Sequence, residues 1–137
     1  MLSQLVYVSN RKCSDDEINK ILDACKKNNP TLDITGVLLY SDKKFIQLVE
    51  GNAKVLNQLY DKIKNDSRHE QCTMISFGMI KERAFPSWHM GSRKIAGADV
   101  DFKTNITSQD KITFNNLLEG KEEKDGGRVL GLLKKFF

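Results

Sequence analysis

Residues 45–51 read FIQLVEG, and this apolar stretch closed by a glycine predicts a β-strand. Side chains alternate between the two faces of a strand, so Phe45, Gln47 and Val49 share one face. A buried primary amide needs partners for its two donors and its acceptor. Gln47 therefore bonds either a neighbouring side chain or loop, or something bound on that face of the strand.

The length and composition are those of one soluble domain. The chain has 137 residues, of which 39% are hydrophobic and 29% are charged. It contains no apolar run of membrane-helix length and no signal-peptide pattern, so we expect a cytoplasmic location and no membrane partner. The net charge of +4 permits contact with phosphate or nucleic acid but does not require it.

The residues that usually carry catalysis or bind metal show no motif. Cys13, Cys25 and Cys72 are odd in number and far apart, which predicts reduced thiols. His69 and His89 lack metal-ligand spacing, so we expect no metal site. The sequence has no phosphate-binding glycine loop, nucleophile elbow or HExxH motif, and we expect no enzymatic activity.

Hydrophobic periodicity and capping residues divide the chain into strands and helices. Ser14 caps a first helix that we expect to end before Pro30, because the residue before a proline disfavours helical geometry. Asn52 caps a second helix that runs to about residue 65. On the last strand, Trp88 and Met90 are predicted to share a face. The predicted strands are 2–9, 33–40, 45–51, 72–80 and 85–94.

The order of these elements predicts an α+β fold with a ferredoxin-like βαββαββ plan, a mixed five-stranded sheet and two helices on one face. Residues 96–103 have no regular pattern, whereas residues 108–118 and 129–137 are predicted to be helical. The last helix is strongly apolar and must bury its stripe either on the other face of the sheet or on another chain. Residues 96–137 are therefore predicted to be a C-terminal helical extension, and a homo-oligomer is one of two outcomes.

Several side chains converge on the space between the first two helices and the sheet. Tyr7 and Gln47 lie on the inner face of the sheet, and Asn29 ends the first helix. Ile21 and Ile63 lie at similar depth on the two helices. A flat aromatic ligand would fit there, with the amides bonding its polar edge.

A polar cluster follows the second helix. Asp66, Arg68 and His69 are consistent with a solvated loop, which is the commoner role of such a run. In the alternative, Arg68 meets ribose or phosphate at the mouth of the pocket.

Five segments of the chain, together covering about residues 1–95, resemble the BLUF family, the sensors of blue light using flavin adenine dinucleotide. The segments are LVYVS at 5–9, KNNPTLDITGVLLY at 27–40, FIQLVEG at 45–51, LYDKIKNDSRH at 59–69 and RAFPSWHM at 83–90. The resemblance implies a non-covalent flavin-binding domain over residues 1–95. It also implies a short-class photoreceptor, which signals to a downstream protein through its C-terminal extension.

The resemblance implies roles for single residues. Tyr7 matches the tyrosine that gives an electron and a proton to excited flavin. Gln47 matches the glutamine that bridges this tyrosine to the flavin and rearranges its hydrogen bonds after illumination. Trp88 and Met90 match the pair that relays the change. The residues implied to bind the cofactor are Tyr7, Ile21, Asn28, Asn29, Gln47, Ile63, Asp66, Arg68 and His69.

The implied cofactor is FAD, although FMN or riboflavin would fit the same ring pocket. An alternative function is a light-insensitive ferredoxin-like module that binds a protein or a nucleic acid. The nucleic-acid version is disfavoured, because the aromatic residues do not form an exposed row on a basic sheet face. A small phosphohydrolase is disfavoured too, since Arg11 follows the first strand without a glycine-rich loop.

Overall fold

The computed structural model describes residues 2–95, 107–121 and 126–137, and a five-stranded sheet forms its centre. The strands are β1 (Leu2–Arg11), β2 (Thr35–Tyr40), β3 (Lys44–Asn52), β4 (His69–Met79) and β5 (Gly91–Lys94). The helices are α1 (Asp15–Leu32), α2 (Ala53–Lys64), α3 (Ser108–Leu118) and α4 (Gly126–Lys134). Residues 96–103, for which we predicted no regular structure, lie outside the described residues.

The strand order is β4-β1-β3-β2-β5, with β5 parallel to β2 and every other pair antiparallel. The mixed α+β sheet with its ferredoxin-like order is therefore confirmed. Close contact between β2 and β3 depends on Gly36, because a Cβ atom there would lie 2.0 Å from the Leu48 carbonyl oxygen. The Gly36 N–H also donates to the Trp88 carbonyl oxygen at 2.9 Å.

The two faces of the sheet bury different sets of side chains. On one face, which we call the cavity face, α1 and α2 pack over Leu5, Tyr7, Leu38, Phe45 and Val49. On the other, the packed face, the apolar residues of α3 and α4 lie in one cluster with those of the strands. That cluster includes Val6, Val8, Ile46, Leu48, Phe114, Leu117, Val129, Leu132 and Phe136. The stripe of the terminal helix is thus buried against the sheet of its own chain.

The prediction that α1 ends before Pro30 is wrong. The helix continues to Leu32, and Asp33 ends it in a left-handed conformation with φ 55°. The last turn is closed by two hydrogen bonds, from Asp33 N–H to the Pro30 carbonyl and from Ile34 N–H to the Asn29 carbonyl. Tertiary contacts that hold Asn29 in place outweigh the local preference of a residue before proline.

The prediction of a strand over residues 85–94 is also wrong in its first half, since β5 begins at Gly91. The backbone N–H groups of Ala84 and Phe85 donate to the Glu50 carboxylate instead of to a neighbouring strand. Without strand geometry, Trp88 and Met90 do not share a face. Met90 packs on the cavity face, while Trp88 stacks on Phe85 of the packed face.

Two further features bear on the earlier expectations. Among the residues described, no helix has both the length and the hydropathy needed to cross a membrane. Cys13, Cys25 and Cys72 are free thiols and are partly buried.

Candidate functional site

A cavity of about 530 Å³ lies between α1, α2 and the cavity face of the sheet. All nine residues that were implied to bind the cofactor line it: Tyr7, Ile21, Asn28, Asn29, Gln47, Ile63, Asp66, Arg68 and His69. Sequence reasoning missed eight further lining residues: Ala24, Cys25, Thr31, Leu32, Leu38, Phe45, Leu59 and Lys62. Helical spacing was the available signal for Cys25 and Leu59, which continue the stripes of Ile21 and Ile63.

Tyr7 and Gln47 form a bonded pair at the base of the cavity. They face each other in the antiparallel register of β1 and β3, and they are only 1% and 4% exposed. The Tyr7 hydroxyl donates to Gln47 Oε1 at 2.5 Å. Burial raises the pKa of Tyr7 well above its usual value, so the phenol keeps its proton and directs it at the amide.

The other end of the Gln47 amide contacts the segment before β5. Its Nε2 atom donates to the Met90 sulfur at 3.4 Å, which is a weak hydrogen bond because a thioether is a poor acceptor. The Gln47 side chain therefore links Tyr7 to Met90 across the buried face.

Asn29 contacts the same segment from the last turn of α1. Its side chain is 3% exposed, and its Nδ2 atom donates to the His89 carbonyl oxygen at 2.6 Å. The neighbouring Asn28 also lines the cavity but is exposed to solvent. Two cavity amides, one from a strand and one from a helix, thus hold residues 89 and 90.

The walls of the cavity are apolar and come from the two helices. Ile21 on α1 and Ile63 on α2 are partly buried, which leaves side-chain surface facing the cavity. They belong to stripes whose other members, such as Ile18 and Leu56, are buried against the sheet. The space between the helices is therefore shaped for an apolar, flat group.

The mouth of the cavity carries an ion pair. Arg68 Nε donates to both carboxylate oxygens of Asp66, at 2.9 and 3.1 Å, and Arg68 Nη2 donates to Asp66 Oδ2 at 2.5 Å. These hydrogen bonds from Arg68 lower the pKa of Asp66 to about 2. Asp66 and Arg68 are thus paired with each other where they line the cavity.

His69 lies deeper than this ion pair. A hydrogen bond of 2.9 Å joins its Nδ1 atom to Ser9 Oγ, and its ring packs on Phe45 at 4.6 Å between centroids. Burial lowers the pKa of His69 to about 4, so the imidazole is neutral at pH 7.

Neither Trp88 nor Met90 lines the cavity. Met90 is linked to it by the hydrogen bond from Gln47, whereas Trp88 is 41% exposed and lies against Phe85 and Phe137, each at 5.4 Å between ring centroids. The two residues that were implied to act as a pair therefore connect to opposite faces of the sheet.

Glu50 and Arg83 form a buried anchor that sequence reasoning did not identify. The Glu50 carboxylate is 0% exposed and accepts the N–H groups of Ala84 and Phe85 at 2.8 and 2.9 Å. Arg83 donates to Thr35 Oγ1 and to the Glu50 carbonyl at 2.8 and 3.0 Å. The anchor fixes the chain immediately before Trp88 and Met90.

Comparison with curated proteins finds relatives that are much longer than this chain. The chain is 32% identical over 93 residues to the photoactivated adenylate cyclase subunit alpha of Euglena gracilis. That match covers 65% of the chain and 9% of the cyclase subunit. The chain therefore spans about a tenth of the length of these relatives.

Solved structures show the same fold. The dark-state structure of the BLUF protein BlrB is 33% identical and has a TM-score of 0.66, covering 68% of this chain and 72% of BlrB. The ground state of BlsA is 26% identical with a TM-score of 0.68, covering 90% of this chain and 92% of BlsA. Residues 2–91 match the family described as BLUF, sensors of blue-light using FAD. The chain therefore belongs to the BLUF family of blue-light sensors.

Proposed function

We propose that this protein is a blue-light photoreceptor that binds a flavin non-covalently in the cavity between α1 and α2. Membership of the BLUF family supports blue-light sensing with a flavin. The observation that carries the mechanism is the hydrogen bond from Tyr7 to Gln47 at the base of that cavity. Residues 1–95 would form the flavin-binding domain, and residues 96–137 would carry the signal onward.

The cavity fits a flavin in size and in the chemistry of its lining. Its volume of about 530 Å³ is within the range of small-molecule sites. Gln47 and Asn29 supply amides for the polar edge of a flat ring, and Ile21 and Ile63 supply apolar walls. FAD is the form named in the family description. FMN or riboflavin would occupy the same walls.

A bound flavin would supply absorption of blue light and an excited state that accepts an electron. In this proposal Tyr7 gives the electron. Burial keeps its hydroxyl protonated, and that proton is already directed at Gln47 Oε1. Gln47 would pass that proton on to the polar edge of the flavin, and after the electron and the proton return to Tyr7 the amide would be left with different hydrogen-bond partners. The weak bond from Gln47 Nε2 to the Met90 sulfur is the contact that the change would most easily break.

The relay that we propose passes through residues 84–91. Gln47 and Asn29 hold one side of this segment, through Met90 and His89. On the other side, Trp88 packs on Phe137 at the end of the C-terminal extension. A change of partner at Gln47 would thus reach the extension as a shift between two packings. The downstream partner would be a protein that contacts the extension, and the chain itself would act as a sensor without catalysing a reaction.

The test is an absorption spectrum of the purified protein in the dark and after blue light. We expect flavin bands and a small red shift that reverses in the dark. Gln47→Leu should bind flavin and lose the red shift, and Tyr7→Phe should bind flavin and form no stable lit state. Tyr60→Phe is the matched control, because Tyr60 packs on Tyr7 at 5.7 Å between ring centroids but does not line the cavity.

Three outcomes would count against the proposal. Protein without flavin after reconstitution with FAD would exclude the photoreceptor. A normal red shift in Gln47→Leu would exclude Gln47 as the switching group. A lasting normal photocycle in Tyr7→Phe would exclude Tyr7 as the donor.

A further inference from the structure

The cavity lining carries one uncompensated positive charge. Among the residues that the structure describes, the charged side chains of this lining at neutral pH are Lys62, Asp66 and Arg68. His69 is neutral at pH 7, because burial lowers its pKa to about 4. Burial also raises the pKa of the Cys25 thiol, which stays protonated. The lining therefore has a net charge of +1 at neutral pH.

The charge of Arg68 is already matched by Asp66. Three donor–acceptor contacts join the two side chains, between 2.5 and 3.1 Å, and both side chains are partly buried. A carboxylate held in this way cancels most of the field of the guanidinium at the mouth. An anionic group entering the cavity meets a neutral pair at this position, not a free cation.

Lys62 supplies the remaining positive charge. It lies in the last turn of α2, next to the wall residue Ile63, and its side chain is exposed. Within the described ranges, no hydrogen bond or ion pair engages it. Lys64, on the same turn, is by contrast paired with Asp61 at 3.4 Å and lies 5.0 Å over the Tyr60 ring.

We propose that Lys62 binds the phosphate of the flavin and makes the cavity prefer phosphorylated flavins, FMN and FAD, over riboflavin. This inference rests on the proposed flavin site. All three flavins share the ring and its polar edge. The ring would lie between the apolar walls, and the polar edge would bond the amides. The phosphate next to the sugar chain is the part that only FMN and FAD bring to the mouth, where Lys62 is the uncompensated charge.

The experiment is a titration of the flavin-free full chain with riboflavin, FMN and FAD, followed by flavin fluorescence at low salt. In Lys62→Gln we expect the affinity for FMN and FAD to fall about two- to fivefold, as for an exposed ion pair, while riboflavin affinity stays unchanged. Lys62→Glu should enlarge the loss for the phosphorylated flavins. High salt should shrink the difference between wild type and Lys62→Gln, because an exposed pair is screened.

Lys64→Gln is the matched control and should leave all three affinities unchanged. An equal loss for riboflavin and FMN in Lys62→Gln would show that Lys62 shapes the pocket and does not bind phosphate. Unchanged affinities for all three would also overturn the inference, while the flavin site itself would stand. If none of the flavins bound to the wild-type chain, the proposed function would fail, and the role of Lys62 with it.

Discussion

The two faces of the sheet come from the same strands but use burial differently. On the packed face, Val6, Val8 and Phe114 belong to a continuous apolar cluster. On the cavity face, Tyr7 and Gln47 are equally buried, but they are polar and lie beneath an open cavity. Because neighbouring strand residues point to opposite faces, the same strands build a filled core on one face and place polar side chains at the base of a cavity on the other.

The largest effect expected from this comparison is on the packed face. Phe114 is 0% exposed and packs on Phe136 at 4.8 Å between ring centroids, so Phe114→Ala should lower the free energy of unfolding by about 3–5 kcal/mol. Ile63→Ala, at the cavity wall, should cost about 1 kcal/mol or less, because that side chain is only partly buried. Urea unfolding of both flavin-free variants measures the two values.

Adding FAD should separate the same two variants in the opposite way. A ligand that binds only the folded chain raises its stability, and Phe114→Ala should keep that increase while Ile63→Ala loses part of it. The comparison would fail if the two variants lost the same free energy of unfolding without flavin. It would also fail if FAD raised their stability by the same amount.

A smaller loss is expected at Glu50, the buried carboxylate on the packed face. In Glu50→Gln the amide oxygen can accept only one of the two N–H groups well, and the new amide N–H₂ faces the other. One unsatisfied buried donor should cost about 1–3 kcal/mol in urea unfolding.

The Glu50→Gln variant should also change the rate of dark recovery, because Ala84 and Phe85 precede the segment that carries Met90. A photocycle identical to wild type would show that this anchor acts on stability alone.

Much of the fold was predictable because it follows from local periodicity. The strand around Gln47 and the helices after Ser14 and Asn52 are where alternation and capping place them. The helical segment at 108–118 is confirmed as well. The fourth strand and the last helix begin three residues earlier than predicted. The two larger errors, at Pro30 and at residues 85–90, both occur where contacts distant in sequence decide the conformation. No local pattern shows that the Glu50 carboxylate will accept hydrogen bonds from N–H groups more than thirty residues away.

The candidate site was predictable for the residues that belong to a motif or a stripe, and less so for the rest. Thr31 and Leu32 were missed because the helix that presents them was expected to end earlier. Lys62 was missed because an exposed lysine in a helix is ordinary. Lys62 stands out as the unpaired charge of the lining because Arg68 is paired with Asp66, and only the structure shows that pair.

The last effect expected, slightly smaller than that of Glu50→Gln, is a dependence of stability on pH from His69, the neutral imidazole of the cavity face. Its folded pKa of about 4 lies below its ordinary value of 6.5. Between these values the unfolded chain binds more protons, so the contribution of His69 is fully present above pH 6.5 and is lost as the pH falls towards 4. After allowance for solvent screening at a partly exposed group, we expect about 1–2 kcal/mol.

Urea unfolding of the wild type and of His69→Gln from pH 7.5 to pH 4.5 isolates this contribution, since the other groups titrate in both proteins. Asp66 does not confuse the comparison, because its folded pKa of about 2 makes its contribution disappear only below the ordinary aspartate pKa of 3.8. The stability difference between the two proteins should therefore change with pH only where His69 titrates. A pH-independent difference would mean that the imidazole is solvated in both states. The cavity face would then be wetter around Ser9 and Phe45 than the packing of His69 on these residues implies.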